Sequence, residues 1–129
     1  MKTIAHPAFQ TSSGAPVVRL GQGTWHLGEN HTRRASEVAA LQRGVALGLN
    51  LIDTAEMYGG GRSEALIGEA IRDADRASLY LVSKVYPHNA GRTNIFKSCE
   101  ASLKRLGTSY LDLYLLHWRG NVPFEETVA

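Results

Sequence analysis

A single cysteine, Cys99, in 129 residues leaves no internal disulfide to form, and the setting this suits is a reducing cytoplasm. Charge of one sign is also missing. Fourteen basic residues stand against twelve acidic ones, for a formal net charge of +2 and no run of like charges. That balance carries no footprint for nucleic acid or an anionic membrane. No apolar stretch approaches the ~18 residues of a membrane span, and the opening "MKTIAHPAFQTSSGAPVVRL" lacks the apolar segment of a signal peptide. The five histidines show no ligand spacing, so no metal site is expected. What remains is the composition of one modest globular domain, 43% hydrophobic and 20% charged.

Strand and helix patterns alternate along it. "KTIA" (2–5) and "APVVRL" (15–20) read as a terminal hairpin, and "GQGTW" (21–25) as a short glycine-rich strand. A helix is expected from Ser36, as N-cap, to about Leu47, with Gly48 as its stop. "NLIDT" (50–54) is strand-like, and Ser63 is expected to cap a second helix with Glu64 in its first turn. "SLYLVSKV" (78–85) reads as another strand. The third helix is expected to be capped by Thr93 and stopped by Gly107, with Phe96, Cys99, Leu103 and Leu106 as its apolar stripe. "YLDLYLLHW" (110–118) is a fourth strand, and Pro123 opens a fourth helix. Such alternation means a parallel sheet with helical crossovers, covered on both faces. An open doubly wound sheet and part of an eight-stranded β/α barrel both fit.

Polar residues at the strand ends favour the barrel. Asp53, Lys84 and His117 end three successive strands, whose neighbours lie about 5 Å apart. A carboxylate, an ammonium and an imidazole therefore share the C-terminal rim, where barrels build their active sites. Tyr58 lies on the loop beyond Asp53. Singly, a strand-end Asp is usually a cap and a strand-end His a structural residue; three in succession are not the product of chance.

The group suits carbonyl reduction. A hydride arriving at a carbonyl carbon leaves an alkoxide that needs a proton, and a tyrosine can supply it if a nearby cation stabilises the phenolate. Lys84 is the expected cation, in reach of both Asp53 and Tyr58. Asp53 fixes the lysine, and His117 orients the carbonyl oxygen.

"GQGTW", "LIDTAEMYGGGRSEALIGEAI", "LVSKV" and "YLDLYLLHW", in this order, resemble the aldo-keto reductases over roughly residues 17–129. Within that family the sequence is most similar to bacterial reductases of small aldehydes and 2-oxoaldehydes. The resemblance implies an NADPH-dependent β/α barrel whose catalytic Asp, Tyr, Lys and His fall on Asp53, Tyr58, Lys84 and His117. It implies that Gly23, Thr24, Trp25 and Asp53 border the nicotinamide, and that Trp25, Tyr58, His117 and Trp118 meet a small carbonyl substrate. Core filling is the competing reading for both tryptophans.

Rival motifs are weaker. Tyr80 to Lys84 matches the Tyr-x-x-x-Lys of short-chain dehydrogenases, but sits in a strand instead of a helix. "GQGTWHLG" has His26 where a dinucleotide loop needs its third glycine. Gly59 to Gly61 read as a flexible turn, and Cys99 as packing. A β/α barrel takes about 250 residues and eight strands, whereas residues 1–129 hold four. They are expected to be the N-terminal half, ending inside the fourth helix, with the adenosine-phosphate contacts in the other half. Two functions follow: a reductase that needs that other half, or a non-catalytic half-barrel sustained by self-association or a partner chain.

Overall fold

The computed structural model describes residues 5–129. An antiparallel hairpin comes first, β1 (Ala8–Gln10) against β2 (Pro16–Val18), with Ala8 opposite Val18. The strand partner of "APVVRL" is thus 8–10 and not "KTIA", of which residues 2–4 lie outside the described residues. Four parallel strands follow, β3 (Gln22–Gly23), β4 (Leu51–Asp53), β5 (Tyr80–Val85) and β6 (Leu113–Leu116), hydrogen-bonded in chain order. Helices α1 (Arg34–Ala46), α2 (Arg62–Ala70) and α3 (Asn94–Leu106) connect them, and α4 (Phe124–Val128) follows β6. This is half of an eight-stranded β/α barrel: the sheet keeps its chain order and has a helix after every strand.

Strand alternation decides what faces what. On the outer face, Ile52 of β4 and Leu81 of β5 join Val38 and Leu41 of α1, Leu66, Ile67 and Ala70 of α2, and Leu106 of α3 in the core. On the other face Leu51, Asp53, Val82, Leu113 and Leu115 line an open concavity of about 350 Å³, floored by Phe9 and Val17 of the hairpin.

The helix starts differ from the sequence expectations. The Asn30 side chain caps a turn at His31–Arg33, so α1 begins at Arg34; the Ser36 hydroxyl, already inside the helix, donates to the Arg33 carbonyl at 2.7 Å. Helix α2 begins at Arg62 behind a left-handed Gly61, which turns the chain without a capping side chain. Thr93 stands at the N-cap of α3, but its hydroxyl makes no capping bond. The buried face of α3 carries Ser102 and Leu106, flanked by half-buried Ile95 and Cys99, while Phe96 is 65% exposed. Both stripes have three-and-four spacing and share Cys99 and Leu106; periodicity alone does not choose between them. Gly48 and Gly107 end their helices with φ of +92° and +66°, as expected of C-terminal glycines.

Helices α2 and α3 touch backbone to backbone at Gly68. A Cβ there would overlap the Arg105 carbonyl oxygen and lie 3.1 Å from the Leu106 carbonyl. Gly68→Ala gains about 1 kcal/mol of helix propensity, but overpacking against backbone costs about 1–3 kcal/mol. The expected result is a lower urea midpoint at unchanged m value, a net loss of about 1 kcal/mol.

Candidate active site

Each rim residue is delivered by a strand whose register is defined. In the parallel ladder Gly23 stands opposite Asp53, Asp53 opposite Val82, and Lys84 opposite Leu115. Lys84 is therefore one pleat further up the rim than Asp53, on the same face, and its stem spans the difference. Lys84 Nζ donates at 2.8 Å to both carboxylate oxygens of Asp53 and, also at 2.8 Å, to the carbonyl oxygen of Thr54. The lysine side chain is 14% exposed and the aspartate 42%, so the ammonium is sunk below the carboxylate.

Those bonds occupy the donors of the ammonium. Among the described residues none of its hydrogen bonds goes to the Tyr58 hydroxyl; Nζ lies instead 5.1 Å from the centre of the Tyr58 ring. The expectation of hydrogen-bond reach to both Asp53 and Tyr58 thus holds for the first only, because Thr54 takes the remaining proton. The contact between the two is that of an ammonium over the Tyr58 ring. The Tyr58 ring meets the His117 ring edge-on at 5.7 Å, and His117 meets Trp118 at 4.8 Å. Tyr58 is half-buried on the turn Tyr58–Gly61, where Gly59, Gly60 and Gly61 have φ of +59°, +63° and +91°, a left-handed run that only glycine adopts without strain.

His117 follows β6, and its backbone N–H donates to Val85 O at 3.1 Å. Burial and then the Lys84 ammonium hold its imidazole below the ordinary value, so the ring is neutral at pH 7. Its Nδ1 is buried without a hydrogen-bond partner among the described residues, which leaves Nε2 as the nitrogen able to meet a ligand.

At the end of β3, Thr24 is fully buried and its hydroxyl donates to the Asp53 carbonyl at 2.9 Å. Thr24 therefore braces the backbone of Asp53, with its hydroxyl already engaged. Gly23 has open space where a Cβ would be, and Trp25 is 67% exposed and stacked on His26 at 4.4 Å. Trp118 is 49% exposed. Neither tryptophan fills the core.

The sequence reading missed two acids. Glu56 accepts from the Tyr86 backbone N–H at 2.6 Å and from Asn89 Nδ2 at 3.1 Å, tying the loop after β4 to the loop after β5. Glu64, read as a first-turn acid, is fully buried and accepts from Ser83 Oγ and Arg105 Nε, each at 2.6 Å. The available signal was their position, since both flank Tyr58 in "EMYGGGRSE" without belonging to an amphipathic pattern. Cys99 is half-buried and burial pushes its thiol up, which makes it a poor nucleophile.

Residues 19–129 match the model of the "Aldo/keto reductase family". The chain is 56% identical over 121 residues to the methylglyoxal reductase YeaE of Escherichia coli, covering 94% of this chain and 42% of that protein. A crystal structure of an aldo/keto reductase from Klebsiella pneumoniae, in complex with NADP and acetate, superposes with a TM-score of 0.90 at 49% identity, over 96% of this chain and 44% of that one. A second Klebsiella pneumoniae aldo-keto reductase structure, in complex with NADPH, gives 0.89 at the same 49% identity over 97% and 44%. The chain thus spans about two fifths of the length of such relatives. Among the described residues no helix is long and apolar enough to cross a membrane, and no cluster of metal-ligating side chains is present.

Proposed function

Because the chain belongs to the aldo/keto reductase family, we propose that it carries the proton-handling side chains of an NADPH-dependent reductase of small aldehydes or ketones. The observation that carries this is the Asp53–Lys84 pair, with Nζ 2.8 Å from both carboxylate oxygens and 5.1 Å from the Tyr58 ring. In this reading Tyr58 is the general acid: its O–H protonates the carbonyl oxygen as hydride reaches the carbon, and the Lys84 ammonium stabilises the charge left on the phenol oxygen. Neutral His117 donates from Nε2 to the carbonyl oxygen and orients it. Trp25 and Trp118, with accessible faces at the rim, bound the space for a small substrate.

A bound nicotinamide would supply the hydride. The end of β3 fits such a ring: there is open space at Gly23, an exposed indole at Trp25, and the Asp53 carboxylate partly open to solvent. The Klebsiella pneumoniae structures with NADP and NADPH support NADP(H) as the cofactor, and YeaE's description as a methylglyoxal reductase supports a 2-oxoaldehyde as substrate. Residues 1–129 are read as the N-terminal half of the barrel, with the main adenosine-phosphate contacts in the other half. The lone cysteine and the absence of a nucleic-acid or membrane footprint suit a cytoplasmic enzyme.

A second reading is a non-catalytic half-barrel that self-associates. It is favoured by Leu113 and Leu115, 41% and 38% exposed on the open concavity, which the hairpin floors and which is otherwise open to solvent among the described residues. One assay separates the two. NADPH absorbance is followed with short aldehydes and 2-oxoaldehydes, using the full-length gene product and, in parallel, the 129-residue chain sized by chromatography. Stoichiometric alcohol formation by the full-length protein is expected. Failure to consume NADPH with any carbonyl, beside a dimeric 129-residue chain, overturns the reductase reading in favour of the second.

A further inference from the structure

We propose that Arg105 is a positioning residue for Tyr58, acting on the glycine turn both directly and through Glu64; this rests on the carbonyl-reductase reading above. The turn has no side chains of its own to hold it between Tyr58 and Arg62. Three consecutive left-handed glycines leave its backbone free to rearrange, so its shape must be imposed by what lies beneath it. What lies beneath is Arg105. Gly61 is buried, and a Cβ there would stand 2.8 Å from Arg105 Cδ and Nε. The arginine stem thus packs under the last glycine of the turn, while Gly59 lies against the side chains of Glu29 and Arg62.

Arg105 is in turn held from two sides. Its Nε donates to Glu64 Oε2 at 2.6 Å, and one terminal nitrogen donates to Ser102 Oγ at 3.3 Å. The other oxygen of Glu64 accepts from Ser83 Oγ at 2.6 Å, and Ser83 immediately precedes Lys84 in β5. The neighbouring Ser63 donates to the Thr24 carbonyl at 2.8 Å, and Thr24 holds the Asp53 carbonyl. The first turn of α2 is thereby tied to the strands that present Asp53 and Lys84, and Arg105 locks the glycine turn to that same anchor. A fully buried carboxylate is retained only where a cation and hydrogen bonds satisfy it, and breaking one partner leaves the other uncompensated. Glu64 stands three residues past the turn, and Arg105 of α3 lies against its last glycine, so the pair bears on the geometry that sets the distance from Tyr58 to Lys84 and His117. Catalytic geometry tolerates little drift: a misplacement of about 1 Å costs about 10²-fold in rate.

The test uses the full-length protein with Arg105→Met, which keeps the stem and removes the charge and donors. The Tyr58 and Gly60 amides, bonded to Ala55 and Met57 carbonyls at 3.2 and 3.1 Å, report on the turn by hydrogen exchange. Their exchange is expected to accelerate about tenfold or more, with the amides of β5 unchanged. The kcat for carbonyl reduction should fall about 10–100-fold with NADPH affinity within about twofold, and Arg105→Lys should restore part of both signals. Lys104→Met, exposed on the same helix, should change neither. Unchanged exchange at Tyr58 and Gly60, or an equal rise across β5, overturns the proposal, the latter because it marks a merely structural role. If Arg105→Met does not fold, the exchange rates of Arg105→Lys decide by the same criterion. A wild-type protein that reduces no carbonyl sinks the functional reading alone, since the exchange measurement still judges the positioning.

Discussion

Changing Tyr58 to phenylalanine is expected to lower kcat for carbonyl reduction by about 10²–10⁴-fold, the range that a positioned general acid contributes. The substitution removes one oxygen and little else. The ring remains to make the edge contact with His117 at 5.7 Å and to sit 5.1 Å from the Lys84 ammonium. NADPH affinity should therefore stay within about twofold, and kcat and kcat/KM should fall together, as they do when an interaction made only in the transition state is lost. Stopped-flow turnover with a cofactor fluorescence titration measures both. A variant keeping more than about a tenth of wild-type turnover would show that another group supplies the proton, and His117 would be the next residue to replace.

Lys84→Met should produce the second large effect, by a different route. With the ammonium 5.1 Å from the Tyr58 ring centre as the scale, opposite unit charges about 5 Å apart attract by about 3 kcal/mol at an effective dielectric constant near 20. The charge on the phenol oxygen is only partly developed in the transition state, and the Asp53 carboxylate beyond the lysine offsets part of the attraction. The expected loss in kcat is thus about 10²-fold, smaller than that for Tyr58→Phe. Stability also falls, because the Asp53 carboxylate loses both of its 2.8 Å hydrogen bonds from the one ammonium and the Thr54 carbonyl loses its own. Asp53 is 42% exposed, so water screens the orphaned carboxylate. The cost should be about 1–2 kcal/mol instead of the 3–5 kcal/mol of a fully buried pair. A urea midpoint lowered by that amount, beside a kcat lowered about a hundredfold, separates the electrostatic role from simple unfolding. If kcat fell no further than stability accounts for, Lys84 would be a structural counter-ion for Asp53 and nothing more.

The sequence alone determined the alternation of strand and helix, the parallel sheet, and the delivery of Asp53, Lys84 and His117 to one rim. These are local or periodic properties: an apolar run bounded by turn signals, a polar residue at its end, the same pattern repeated. The glycine stops of α1 and α3 were legible for the same reason, since a left-handed C-terminal residue is a local demand. The tertiary structure decided everything that depends on a partner distant in the chain. It turned Ile52 and Leu81 toward the helices and left Leu113 and Leu115 on the open face, a choice to which strand periodicity is indifferent. It rotated α3 so that Ser102 and not Phe96 lies inside. It gave the third proton of Lys84 to Thr54 and left the ammonium over the Tyr58 ring, 5.1 Å from its centre. Glu64 shows the division most clearly. In the sequence it is a first-turn acid beside a serine; in the fold it is a buried carboxylate bridging Ser83, 19 residues away, and Arg105, 41 residues away. Such a bridge exists only once α2, α3 and β5 have packed together, and the same packing, by burying the carboxylate, makes its partners indispensable.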